Sequence, residues 1–249
     1  MPTTTRRQFG AQSLGSLLTY SLLETLFQRD AFASEIKPLA AAWLKEVHEL
    51  GSDLHGQKLT QVAWQTQTER LFARANVPDL LKFIDYDKLS ATFRFAERGE
   101  RSVVPRFPAV AGLPTELVFG HQIFGLKKGR SVIPHGHDNM ATAFLILNGE
   151  FNGRHYDRVE DQEDHLIIRP TIDEKFAIGG CSTVSDVKDN VHWFKALTDQ
   201  AFIFNIHVTN LKASIASRRV YVDPNGESLS ENRIRARKIR FYEANKLYG

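Results

Sequence analysis

The sequence predicts a mainly β protein, a jelly-roll barrel with helices before it and a helix after it. Two observations carry this. Beyond Thr115, short runs rich in Phe, Ile and Val recur at intervals of about ten residues between turn residues. Before that point the apolar residues keep helical spacing instead, as in Leu39, Trp43, Val47 and Leu50, and again around Trp64, Leu71 and Phe72.

The chain has 249 residues, enough for one barrel with helical attachments. Its 32 Lys and Arg against 29 Asp and Glu leave a formal charge of +3, too small to draw nucleic acid or an anionic membrane by bulk electrostatics. Cys181 is the single cysteine, which excludes an intrachain disulfide and a cysteine-based zinc site. Any metal must rest on histidine and carboxylate.

Residues 1–33 have the form of an address. Thr5-Arg6-Arg7-Gln8-Phe9 precedes a moderately apolar stretch, Gly10 to Phe27, and Ala31-Phe32-Ala33 offers a cleavage site of small residues. The pattern is similar to a twin-arginine export signal, with Glu24 inside the apolar stretch as a departure, and it implies a periplasmic or otherwise exported protein. The stretch is too short and polar to span a bilayer.

From 34 to 100 the spacing predicts two or three helices. Gly99, Pro105, Pro108, Gly112 and Pro114 then mark irregular chain. The barrel is expected over 101–222. Within it, Phe144-Leu145-Ile146-Leu147 before Asn148-Gly149 predicts a hairpin with a type I′ turn. A second hairpin is expected to join Val191–Leu197 to Ala201–Val208. In its second strand Phe202, Phe204, Ile206 and Val208 share one face, and Ile203, Asn205 and His207 the other. Arg219–Val222 gives one more β-like stretch, followed by a turn at Asp223-Pro224-Asn225-Gly226. Over 223–249 a closing helix is expected, since Ser228-Leu229-Ser230-Glu231 is a capping-box arrangement ahead of Ile234, Ile239 and Leu247.

The stretch with the most chemistry runs from Gly129 to His137. On a strand, two-residue spacing puts the imidazoles of His135 and His137 on one face, a donor pair for a divalent ion that needs a third ligand from another strand. His192, in Asp189-Asn190-Val191-His192-Trp193-Phe194, is the candidate, with His207 as its alternative or as a residue that hydrogen-bonds a ligand. His121 and His155 read as satisfied or exposed, His48, His55 and His165 as surface residues, and Cys181 as a small buried residue.

Here the sequence resembles the cupin superfamily. Gly129, His135, His137 and Gly149 fit its first motif, while Thr142 stands where most cupins carry a glutamate ligand, and the Pro-x-Gly element before the later histidine is missing. A cupin with three histidines and no acid is similar to the thiol dioxygenases, the family of cysteine and cysteamine dioxygenase. That resemblance implies one Fe(II), held by His135, His137 and His192, where a thiolate meets O2 and both oxygen atoms pass to sulfur. Ni, Mn or Zn would also suit imidazole donors. In the cysteine enzymes an arginine ahead of the first motif binds the substrate carboxylate, and Arg106 is the counterpart by order. The tyrosine that follows their third ligand has no equivalent in the sequence pattern. Two other functions fit the same residues: a cupin oxygenase or isomerase acting on a non-thiol substrate, and a non-catalytic cupin that binds a small ligand or metal in the cell envelope.

Overall fold

The computed structural model describes residues 39–109 and 114–249; the expected export signal lies outside them. Among the described residues four helices come first. Residues 39–55 form α1, followed by α2 (Gln61–Phe72), α3 (Val77–Phe83) and α4 (Tyr86–Thr92). Local chemistry starts α2 and α3, because the side chains of Thr60 and Asn76 accept from the backbone N–H of Ala63 and Asp79, groups with no partner inside the helix. Leu44, Val47 and Leu54 of α1 recur at helical spacing and are buried with Trp64 and Phe72 of α2.

Eleven strands follow among the described residues: β1 (Arg101–Val103), β2 (Gly120–Leu126), β3 (Ser131–Asp138), β4 (Met140–Asn148), β5 (Phe151–Asp161), β6 (His165–Phe176), β7 (Cys181–Val184), β8 (Val191–Ala196), β9 (Ala201–Thr209), β10 (Arg218–Leu229) and β11 (Arg233–Lys238). They make a five-stranded sheet, in the order β1-β2-β9-β4-β7, and a closed six-stranded barrel, β10-β11-β6-β5-β8-β3. The chain is thus mainly β with a few helices, as its periodicity predicts.

The five-stranded sheet has both faces covered, so β4 and β9 are almost continuously apolar. Phe202, Phe204, Ile206 and Val208 face the helices, packed with Leu44, Trp64 and Phe72. On the other face Ile203 packs with Phe144 of β4 and with Val132, Phe151 and Phe194 of the barrel. Full burial of such side chains contributes about 2–3 kcal/mol each, which holds the helical layer and the two sheets in one arrangement.

Three expectations about connections are corrected. Asn148-Gly149 does not close a hairpin: β4 pairs with β7 and β9, whereas β5 pairs with β6 and β8, so the turn carries the chain from one sheet to the other. Gly149 has φ +76°, and a Cβ there would come within 2.5 Å of Thr198 Oγ1. The second expected hairpin, β8 to β9, crosses between the sheets in the same way. These two crossings bind each other, Glu150 N–H donating to Thr198 Oγ1 at 3.0 Å and Asn148 Nδ2 to the Gln200 carbonyl at 2.8 Å. A positive φ serves a crossing as well as a hairpin, so local turn chemistry does not separate them.

The third correction concerns the closing helix, which starts only at Phe241 and runs to Tyr248 as α5. Residues 218–238 are instead the hairpin β10–β11, and the barrel runs on past 222 to Lys238. Glu231 and Asn232 at its tip have φ of 59° and 54°, which no helix accepts. Ile234 and Ala236 pack inward with Val220 and Val222, while Arg235 is exposed. The alternation has period two. The expected turn at Asp223 is an irregularity in the β10–β11 register, between Asp223 and Glu227.

Candidate metal centre

Pro134 shapes the strand that carries the first two histidines. Lacking an N–H, it cannot join the ladder to β8, and the β3–β8 register shifts by one residue between Val132 and His135. The shift sets His135 directly opposite His192. Between His135 and His137 only glycine fits, because a Cβ on Gly136 would lie 2.6 Å from Asn190 Oδ1. Asn190 Nδ2 donates to the His137 carbonyl at 2.7 Å and to the Ser185 carbonyl at 2.8 Å, fastening the loop before β8 to β3.

The structure brings His135, His137 and His192 together. One ring nitrogen from each lies within 4.8 Å of the others. Ring centroids are 4.3 Å apart for His135 and His192, 4.9 Å for His137 and His192, and 5.0 Å for His135 and His137. All three are buried, at 3%, 2% and 1% exposure. His135 Nδ1 lies 2.7 Å from the Ile133 carbonyl, so it carries the proton and leaves Nε2 with a free lone pair. His137 Nδ1 is 3.2 Å from Thr142 Oγ1, while His137 Nε2 is buried without a protein partner.

Burial pushes His135 down to about 3, helped by the Arg219 guanidinium and opposed by the Ile133 carbonyl. His137 and His192 are held well below the ordinary histidine range, first by burial and then by the neighbouring imidazoles. Three neutral rings clustered together, two of them with an orphaned nitrogen, His137 Nε2 and His192 Nδ1, fit a divalent cation. Burying such nitrogens without a partner is costly, and a shared ion is the partner that satisfies them together.

The rings line a cavity of about 400 Å³ with Met140, Thr142, Asn205, His207, Glu100 and Arg219. Thr142 braces His137. Thr142→Val keeps the shape and removes the hydroxyl, and such outer partners are worth roughly tenfold to a hundredfold in metal affinity. Competition with a chromophoric chelator should read a loss of that size. Unchanged affinity would show that the hydroxyl does not hold the ring.

His207 lines the cavity from β9 but makes no hydrogen bond to the three rings among the described residues. Arg106 is not brought to the site: it is exposed and lines a separate cavity with Pro105, Phe107 and His121. Chain order misassigns it, because the arginine at the cavity is Arg219, opposite His137 in the β3–β10 register. Tyr221, next on that face, has its ring 5.6 Å from His135.

His155 is fully buried, with its ring 6.3 Å from His192 and Nδ1 unpartnered. Burial pushes it down to about 4, against the pull of Asp189. His48 is half-buried, its Nδ1 accepting from the Val118 N–H at 3.1 Å, and is structural. His121 lies 3.0 Å from the Pro105 carbonyl and stacks on Phe107, away from the three rings. Cys181 is half-buried beside the Glu69 carbonyl, and burial raises its thiol to about 11.

No family model and no curated protein matches the chain. Among solved structures it is similar over 42% of its length to procruciferin, an 11S globulin from Brassica napus, at 10% identity and a TM-score of 0.33; the match spans 23% of that chain. It is similar over 49% of its length to the TT1209 protein from Thermus thermophilus, at 11% identity and a TM-score of 0.35, spanning 93% of that protein.

Proposed function

We propose that this chain is a mononuclear, metal-dependent dioxygenase of the cupin type that oxidises a small thiol to a sulfinate. The observation that carries the reading is a cluster of three buried, neutral imidazoles with no carboxylate among them, at the wall of a small cavity. Such a donor set leaves a divalent ion its full positive charge and open positions. Bound there, Fe(II) would supply a Lewis acid that lowers a thiol pKa and a common meeting point for thiol and O2.

The protein's part is to bind, orient and exclude water. His135, His137 and His192 would hold the ion from two adjacent strands, and the Ile133 carbonyl and Thr142 keep two of the rings turned toward it. Phe144 and Met140 give the cavity apolar wall, and its volume admits only a molecule of modest size. At the exposed side Arg219 sets a positive charge, which favours a substrate with an anionic group. The paired arginines Arg6 and Arg7 support export by the twin-arginine route, and no helix among the described residues is long and apolar enough to cross a membrane.

Protein loaded with Fe(II) and supplied with cysteamine, cysteine or 3-mercaptopropionate should consume one O2 per thiol, in an oxygen electrode, and yield a product heavier by two oxygen atoms. If none of these thiols raises oxygen uptake above that of the metal-free protein, the thiol reading is wrong. Uptake driven only by a diketone or a phenol would move the protein to another oxygenase class.

A further inference from the structure

Among the described residues, Glu100 contributes the single carboxylate that lines the cavity of the three imidazoles. It lies in the turn before β1, after Gly99, which is buried with φ +67° and packs against Asn245 of α5. The side chain is half-buried, and among the described residues it makes no ion pair and no hydrogen bond to another residue; it accepts only from its own N–H. Arg219 acts on it through space without bridging it. Glu100 is also outside the group of nitrogens that could share an ion. A half-buried carboxylate that faces a cavity, without a protein partner and outside the ligand group, is free to act on whatever enters.

We propose that Glu100 is the base that takes the proton from the incoming thiol. The inference rests on the thiol reading above and assigns a step that His135, His137 and His192 cannot perform, since their lone pairs would be committed to the ion. In that step the S–H bond breaks, its electron pair stays on sulfur, and an O–H bond forms on Glu100. Thiol and carboxylate become thiolate and carboxylic acid; nothing is oxidised. Proximity matters because a free thiol with a pKa near 8.5 is mostly protonated at neutral pH. Burial holds the carboxyl above its ordinary range, opposed by its own N–H and by Arg219, which makes it a stronger base than a solvated glutamate.

The other titratable or charged groups facing this cavity are Arg219 on β10, His135 and His137 on β3, His192 on β8 and His207 on β9. Arg98 and Arg101, adjacent in the chain, are exposed, and Arg130 near α5 is engaged with the Gly249 carbonyl. His135, His137 and His192 would be taken up by the ion, and burial holds His207 below the ordinary histidine range, a weaker base than a free imidazole, which leaves Glu100 as the carboxylate that faces the cavity.

The test uses the full chain loaded with Co(II) and mixed with 2-mercaptoethanol, an uncharged thiol, in a stopped-flow spectrometer. The rate of appearance of the thiolate-to-cobalt absorption is followed from about pH 6.5 to about pH 10, up to the thiol pKa, which for this simple alkanethiol lies about one unit above that of cysteine. In the unaltered protein the rate should vary little. In Glu100→Gln it should fall about tenfold for each pH unit below the thiol pKa, because binding must then wait for free thiolate. Near pH 10 the two should converge, showing an intact metal site, and Glu100→Asp should recover most of the flat profile. One shared profile for the unaltered protein and Glu100→Gln, or an Asp variant as steep as the Gln variant, overturns the assignment of Glu100. Absence of the absorption in the unaltered protein sinks the thiol reading and this proposal with it.

Discussion

A His135→Ala/His137→Ala protein is expected to purify without its metal, retaining under a tenth of the roughly one ion per chain that the three-nitrogen site predicts. Four-ligand sites bind with apparent free energies of about 10–16 kcal/mol, or about 2.5–4 kcal/mol per ligand. Loss of two of three ligands then costs about 6 kcal/mol, on the order of 10⁴-fold in affinity. Elemental analysis of protein prepared without added metal reads this directly. The fold should survive, because the substitutions remove buried nitrogens, one of which, His137 Nε2, has no protein partner. His55→Ala provides the control, since His55 is exposed and outside the cluster, and it should keep its metal. Equal metal content in all three proteins would remove the basis for any metal chemistry here.

The pairing of His135 with His137 was legible because strand periodicity alone puts residues two apart on one face. The two faces of β9 were legible for the same reason: Phe202 and Phe204 face the helices, while Asn205 and His207 line the cavity. What a local pattern does not contain is which strand lies beside which. Asn148-Gly149 supplies a positive φ whether the next strand folds back or crosses to the other sheet, and here both sheets offer an apolar surface to continue on. Ser228 to Glu231 satisfies a helix-capping pattern, yet the inward packing of Ile234 and Ala236 against β10 outweighs it.

Arg219, Glu100 and His155 were missed for a related reason. Arg219 stands opposite His137 and His155 opposite His192 only through antiparallel registers spanning 82 and 37 residues of chain. Glu100 enters the cavity from a turn that no motif marks. His135 and His137 sit two apart on one strand and can be read from spacing; the residues that charge and brace the site are assembled from distant strands and cannot. The arginine chosen by order in the chain, Arg106, fails on that ground.

Stripped of metal, the protein should lose stability steeply as pH falls below 6.5. His135, His137, His155 and His192 are buried and neutral in the fold, whereas in the unfolded chain each binds a proton near 6.5. A folded pKa lowered in this way leaves stability whole above 6.5 and drains it as pH approaches the folded values, about 4 for His155 and about 3 for His135. Each ring adds about 1.4 kcal/mol per pH unit, so four together approach about 5–6 kcal/mol per unit. Set against about 5–15 kcal/mol for a typical domain, this predicts unfolding near pH 5. Asp138 contributes in a lower window: burial raises its carboxyl, but hydrogen bonds from Arg158 and Arg218 outweigh that and hold it below 3.8. Urea unfolding followed by tryptophan fluorescence at successive pH values gives the slope, and His155→Gln should flatten it by about a quarter. Because a bound ion needs the same rings unprotonated, loading the site should move the acid midpoint to lower pH, a difference that the His135→Ala/His137→Ala protein cannot show. Stability that stays level from pH 7 to about pH 5 would mean that these rings are not buried as neutral donors, and the metal centre would lose its physical basis.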